Sequence, residues 1–156
     1  MSNVNYAKDG VLVNTEHDGI IIRKHIADLV GGRALDITGY PASVIPCGLP
    51  IITNGNGTYK PLAPADVTTG TGDDAVTTYC FTLPTDYSYA GICGATEVAG
   101  KGVSVLTAAV VNEGAMLNHI TDMFPSGMES PNTLSLSAIK TALPHLIFQA
   151  SEAADA

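Results

Sequence analysis

Three cysteines, four histidines and a glycine-rich loop with paired aspartates are the residues of this chain whose types suit chemistry. Cys47, Cys80 and Cys93 stand at irregular spacing, with no Cys-x-x-Cys pair. A zinc site needs Cys and His ligands at short spacing, and a reactive thiol needs a basic neighbour to stabilise its thiolate. The sequence shows neither pattern, so the cysteines read as buried free thiols. His17, His25, His119 and His145 are widely spread, and no two have metal-ligand spacing on one helix. A solvated role is the reading for His25. Gly70-Thr71-Gly72 has the outline of a phosphate cradle. However, no Lys-Ser/Thr follows it, and Asp73 and Asp74 would repel a phosphate. The two aspartates lack the alternating ligands and closing Glu of a calcium loop, so a surface loop over residues 63–75 is expected. A serine nucleophile would be announced by a Gly-x-Ser-x-Gly elbow, which the chain lacks. The carboxylates lie mainly in loops and tails, where solvation is commoner than acid–base work. The expectation is a non-enzymatic protein with no cofactor and no metal.

The elements that would position such residues follow from composition and periodicity. A chain of 156 residues is enough for one domain, which buries roughly 70% of its unfolded surface. Charged residues are only 14% of the chain and hydrophobic ones 46%, with 16 glycines and 9 prolines. That balance suits a β-rich domain, or one that hides surface in an assembly. A net charge of −8 with seven scattered Lys and Arg argues against nucleic acid and against an anionic membrane surface. No stretch has the length and apolarity of a bilayer span, and the N-terminus carries no signal-like core. A soluble protein made in a cytoplasm is the corresponding expectation.

The central signal is Val44–Leu62. Short apolar runs flank Pro46-Cys47-Gly48, and Asn54-Gly55-Asn56-Gly57 turns the chain back into Tyr59-Lys60-Pro61-Leu62. Asn-Gly predicts a type I′ hairpin, and the prolines push its strands towards edges or bulges. Before it, Val11–Val13 and Ile20–Ile22 are short apolar runs. Ile22, Ile26, Leu29 and Val30 have helical spacing, stopped by Gly31-Gly32. The spacing predicts a helix over 23–30 within an N-terminal arm, residues 1–32, that swings on the two glycines. Period-two alternation predicts a strand around Leu35 and Ile37. Further strands are expected over Val76–Leu83, Tyr87–Thr96 and Lys101–Val111, the last apolar on both faces and therefore central. Asn112 offers a cap for a helix reaching Ile120. Leu136, Ile139, Ala142 and Leu143 give a late helix over Thr133–Leu143, followed by a strand over His145–Gln149. The fold class is thus β-rich α+β: a small compact β-module, barrel or sandwich-like, with one late helix and an N-terminal arm. The module spans 33–150, and 151–156 form a flexible acidic tail.

The order of these features, with Pro46-Cys47-Gly48-Leu49-Pro50, Tyr59-Lys60-Pro61-Leu62, Ala90-Gly91-Ile92 and Gly102-Val103-Ser104-Val105-Leu106, resembles the small head-decoration and head-fibre proteins of tailed bacteriophages, the lambda-type decoration proteins among them. The resemblance covers roughly Ala34–Gln149 by order of elements. It implies a structural virion protein on the capsid exterior, a homotrimer bound to the major capsid protein, that braces the shell without catalysis. The arm would add to capsid edges by β-augmentation, with Val11, Leu12, Val13, Ile20, Ile21 and Ile22 as contact residues. A tail or baseplate component and a small-ligand-binding β-barrel are the alternatives.

Overall fold

A computed structural model describes residues 4–5, 12–124 and 136–150; for 4, 5, 12, 66–69 and 76–80 it describes the backbone course alone. The chain is β-rich α+β, with a mainly antiparallel sheet. Two short strands, β1 (Val4–Asn5) and β2 (Leu12–Val13), pair near the start, and a single helical turn, α1 (Asp18–Ile21), runs straight into β3 (Ile22–Asp28). Then come β4 (Val44–Ile45), β5 (Pro50–Thr53), β6 (Tyr59–Pro61), β7 (Pro64–Thr69), β8 (Val76–Phe81), β9 (Ser88–Cys93), β10 (Glu97–Val98) and β11 (Val105–Asn112). Helix α2 (Glu113–Met123), helix α3 (Leu136–Ala142) and β12 (Leu146–Gln149) follow.

The main sheet has the order β12-β11-β9-β5-β6, with β3 also on β11. Three strands from distant parts of the chain therefore meet β11: β3 and β9 antiparallel, β12 parallel. Apolarity on both faces suits that place, and Val105, Leu106, Ala109 and Val111 are all buried. The β5–β6 hairpin is present, with Pro61 on the edge strand where a missing N–H does no harm. Its connection is longer than a type I′ turn. Thr53 still pairs with Tyr59, and Gly55 and Gly57 supply the left-handed positions at φ 80° and 85°.

Two helices cover the sheet. In α2 the Asn112 side chain accepts from the Ala115 N–H at 3.2 Å, so the cap is in place. Met116, His119 and Ile120 form its buried stripe, and α3 inserts Ile139. Phe124 packs edge-on against Phe81 and Tyr40, at ring separations of 5.5 and 5.8 Å.

Three local expectations are corrected. Residues 22–28 are strand β3, not helix, and the helical turn lies earlier, at Asp18–Ile21. Backbone pairing with β11 prevails over the helical spacing because Ile26 and Val30 are exposed and form no buried stripe. The Leu35–Ile37 stretch is irregular; Arg33 bridges Val103, and the Asp36 N–H donates to Tyr59 O at 2.8 Å. Residues 64–69, expected as loop, pair with β8 along their whole length, and only Gly70–Ala75 forms the tip. The stretch before Gly31 is stitched into the body: the Leu29 N–H donates to Val105 O at 2.9 Å, and Ile21 is fully buried. Residues 1–3, 6–11 and 125–132, the first residues of the late helix at 133–135 and the tail at 151–156 lie outside the described residues.

Candidate functional site: a buried Asp–Thr–His chain beside a small cleft

Sequence spacing keeps the four histidines apart, but the fold brings two of them together. His17 immediately precedes α1, and His119 lies on the buried stripe of α2; their rings are 5.6 Å apart and tilted by 53°. Between them and the sheet sits Thr96, 2% exposed, in the turn from β9 to β10. Its backbone N–H donates to Asp18 Oδ2 at 2.8 Å and its hydroxyl to Asp18 Oδ1 at 2.6 Å. The same hydroxyl oxygen accepts the Cys47 N–H at 3.2 Å and lies 3.0 Å from His119 Nε2.

Proton counting fixes the direction of the last bond. A threonine hydroxyl has one hydrogen, which the short contact assigns to the Asp18 carboxylate. Its oxygen is left only as an acceptor, so His119 donates from Nε2, and neutral His119 carries its lone pair on Nδ1. Among the described residues no buried side-chain nitrogen or oxygen lacks a partner, so Nδ1 meets the solvent of the neighbouring cleft. That cleft holds about 210 Å³ and is lined by His17, Ala115, Asn118, His119 and Asp122. Burial pushes the His119 pKa below its ordinary value; His17 acts in the same direction, while Asp18 and Asp122 oppose.

The remaining sequence candidates do not converge here. Cys47 and Cys93 are free and buried, with Sγ contacts to Gly94 O and Ala95 O. Burial pushes the Cys93 thiol up to about 12 and the Cys47 thiol upwards as well, so both are protonated at neutral pH. His25 is exposed on β3, 3.3 Å from Asp28, and His145 is exposed before β12. Asp73 and Asp74 sit exposed in a 3-10 turn at the β7–β8 tip. Among the described residues, no three His, Cys, Asp or Glu side chains gather in a metal-holding group.

Of the six residues expected at a capsid contact, Val13 and Ile21 are buried within this chain, Ile22 is half-buried and Ile20 is 53% exposed. Leu12 is described by its backbone in β2, and Val11 lies outside the described residues. The surface continuing from Ile20 is β3, where every residue from Arg23 to Asp28 is exposed. Ile26 is 51% and Val30 91% exposed. Among the described residues β3 pairs with β11 alone, so its outer edge is open.

The chain matches no protein-family model, no curated protein and no solved structure. Among the described residues, no helix is long and apolar enough to cross a membrane.

Proposed function

We propose that the protein is a non-enzymatic structural component that binds the outside of a bacteriophage capsid and braces it, with β3 as the strand offered to the shell. The observation that carries this is the open edge of β3, exposed on both faces and accompanied by exposed Ile20, Ile26 and Val30. A bare strand edge carries unpaired N–H and C=O groups, and adding a partner strand satisfies them. Charge points to the partner. In a chain of net charge −8, β3 places Arg23 and Lys24 side by side, so an acidic extended segment of the major capsid protein complements it. The same cations discourage edge-to-edge pairing of copies of this chain. The resemblance of the sequence motifs to decoration proteins points the same way, and a homotrimer on the shell is the assembly we infer from it.

The cleft beside His119 favours a second function, small-ligand binding. At about 210 Å³ it falls short of ligand pockets, which run from roughly 300 to 1,000 Å³. It therefore stands second.

The test pairs sedimentation with a stability control. The triple variant Arg23→Glu, Lys24→Glu, Ile26→Asp changes exposed side chains only, so its urea midpoint should stay near that of the parent. The parent should pellet with undecorated expanded heads and the variant should remain in the supernatant. Full pelleting of the folded variant would overturn the role of β3. A parent that sediments with tails and not heads would make it a tail or baseplate component.

A further inference from the structure

We propose that the His119 ring, packed against His17, forms a proton-operated latch between α1 and α2, closed while His119 is neutral and released in mildly acidic conditions. The latch does not depend on the capsid-binding proposal.

The closed state is the one described above. Helix α1 is a single turn of four residues, too short to persist without tertiary support. Two anchors hold it: the Ile21 side chain in the core, and the Asp18 carboxylate on the Thr96 N–H and hydroxyl. The hydroxyl is oriented by the donors on its other side, the Cys47 N–H and His119 Nε2–H. His119 thus helps hold α1 without touching it through a hydrogen bond.

A second proton on His119 enters at Nδ1 and creates a cation on a side chain only 5% exposed. The groups facing it come from three directions. From α1 and the turn before it come Asp18, already engaged by Thr96, and the His17 ring at 5.6 Å. From the turns after β9 and β4 come the Thr96 hydroxyl and the Cys47 backbone, neither of them charged. From α2 itself comes Asp122, which lines the cleft but makes no hydrogen bond to the ring. Asp18 and Asp122 favour the new cation without bonding to it, but burial, the largest cause, outweighs them, and His17 opposes it as well. Relief comes from separating α1 from α2. Because Ile22 continues α1 into β3, that separation loosens the start of the edge strand.

The sign of the pH dependence follows from the depressed His119 pKa. The unfolded or released state takes up its proton near about 6.5, and the closed state takes it up only at lower pH. The closed form is therefore fully favoured above that ordinary value and loses its advantage as pH falls through the interval below it.

Amide hydrogen exchange on the full chain, corrected for intrinsic rates and followed by NMR, tests the latch. Moving from about pH 7.5 to about pH 5, the amides of Ile21, Ile22 and Thr96 should lose about tenfold or more in protection relative to β11 amides. His119→Gln keeps a donor for Thr96 but has no titrating group, and its Ile21, Ile22 and Thr96 should show no such loss. His17→Gln changes an exposed side chain, so it should fold even if the buried variant does not. It should show a smaller loss of protection at acid pH than the parent, because one cause of the depressed His119 pKa is removed while burial, the larger one, remains. Equal protection of the parent at both pH values, or an undiminished loss in either folded variant, would overturn the latch.

Discussion

Replacing Thr96 by Val should lower the stability of the fold by about 3–5 kcal/mol, although the side chain keeps its shape. The hydroxyl serves three partners: it donates to Asp18 Oδ1, accepts the Cys47 N–H and accepts from His119 Nε2. Valine leaves two donors and one carboxylate oxygen facing a methyl group. Each stranded buried group costs about 1–3 kcal/mol. The sum is held to the lower part of its range because Asp18 keeps the Thr96 N–H at 2.8 Å. Urea unfolding of the parent, Thr96→Val and Thr96→Ser separates hydroxyl from methyl. The serine variant keeps all three bonds and should lose only about 1 kcal/mol for the missing methyl. A valine variant as stable as the serine one would show that the hydroxyl chain contributes little to the fold.

Gly91→Ala should cost about 3 kcal/mol, and it acts through the sheet itself. Gly91 pairs with Ile51 in β5, while its other side faces β11. A Cβ there would be driven into the Leu106 carbonyl oxygen and to within 2.8 Å of Val105 Cγ1. The obstacle is backbone, so no rotamer change relieves it, and β9 must move away from β11. Gly55 is the natural comparison. It has φ 80°, and a methyl added there would meet nothing within 4 Å, so Gly55→Ala meets only the left-handed backbone penalty, about 1–2 kcal/mol. Thermal or urea midpoints of the two variants should therefore differ clearly. Equal losses would mean that β9 and β11 can part at this point with little loss of packing.

Local patterns made several of these elements legible. Val103–Val111 is apolar on both faces and occupies the middle of the sheet; Asn112 is a good cap and caps α2. Asn54–Gly57 announced a reversal because glycine adopts the left-handed φ values found at 55 and 57 without steric penalty. The misreadings share a cause. Ile22, Ile26, Leu29 and Val30 have helical spacing, yet Ile26 and Val30 bury little, so no core stripe stands behind the periodicity. What organises that stretch is pairing with β11, roughly eighty residues later in the chain, which no local window contains. Leu35 and Ile37 alternate over too few residues to imply a partner, and Pro64 concealed a strand that continues through β-branched Thr68 and Thr69. The site was legible only in part. His119 falls beside Met116 and Ile120 on the inward face of α2, a cue that it is buried. Asp18 and Thr96 are joined across 78 positions, and neither stands in a motif of its own.

The parallel pairing of β12 with β11 has a consequence for the newborn chain. Synthesis delivers β3, β5, β6 and β9 before β11, so the antiparallel partners of β11 are waiting when it emerges. Residues 109–112, however, form their ladder with Leu146–Gln149, which emerge only after α2 and α3. Throughout that interval an apolar strand stands with part of one side bare. A ribosome pausing after Asn112 has left it and before Leu146 has done so would hold the chain with this apolar edge uncovered, open to a chaperone or to a neighbouring nascent chain.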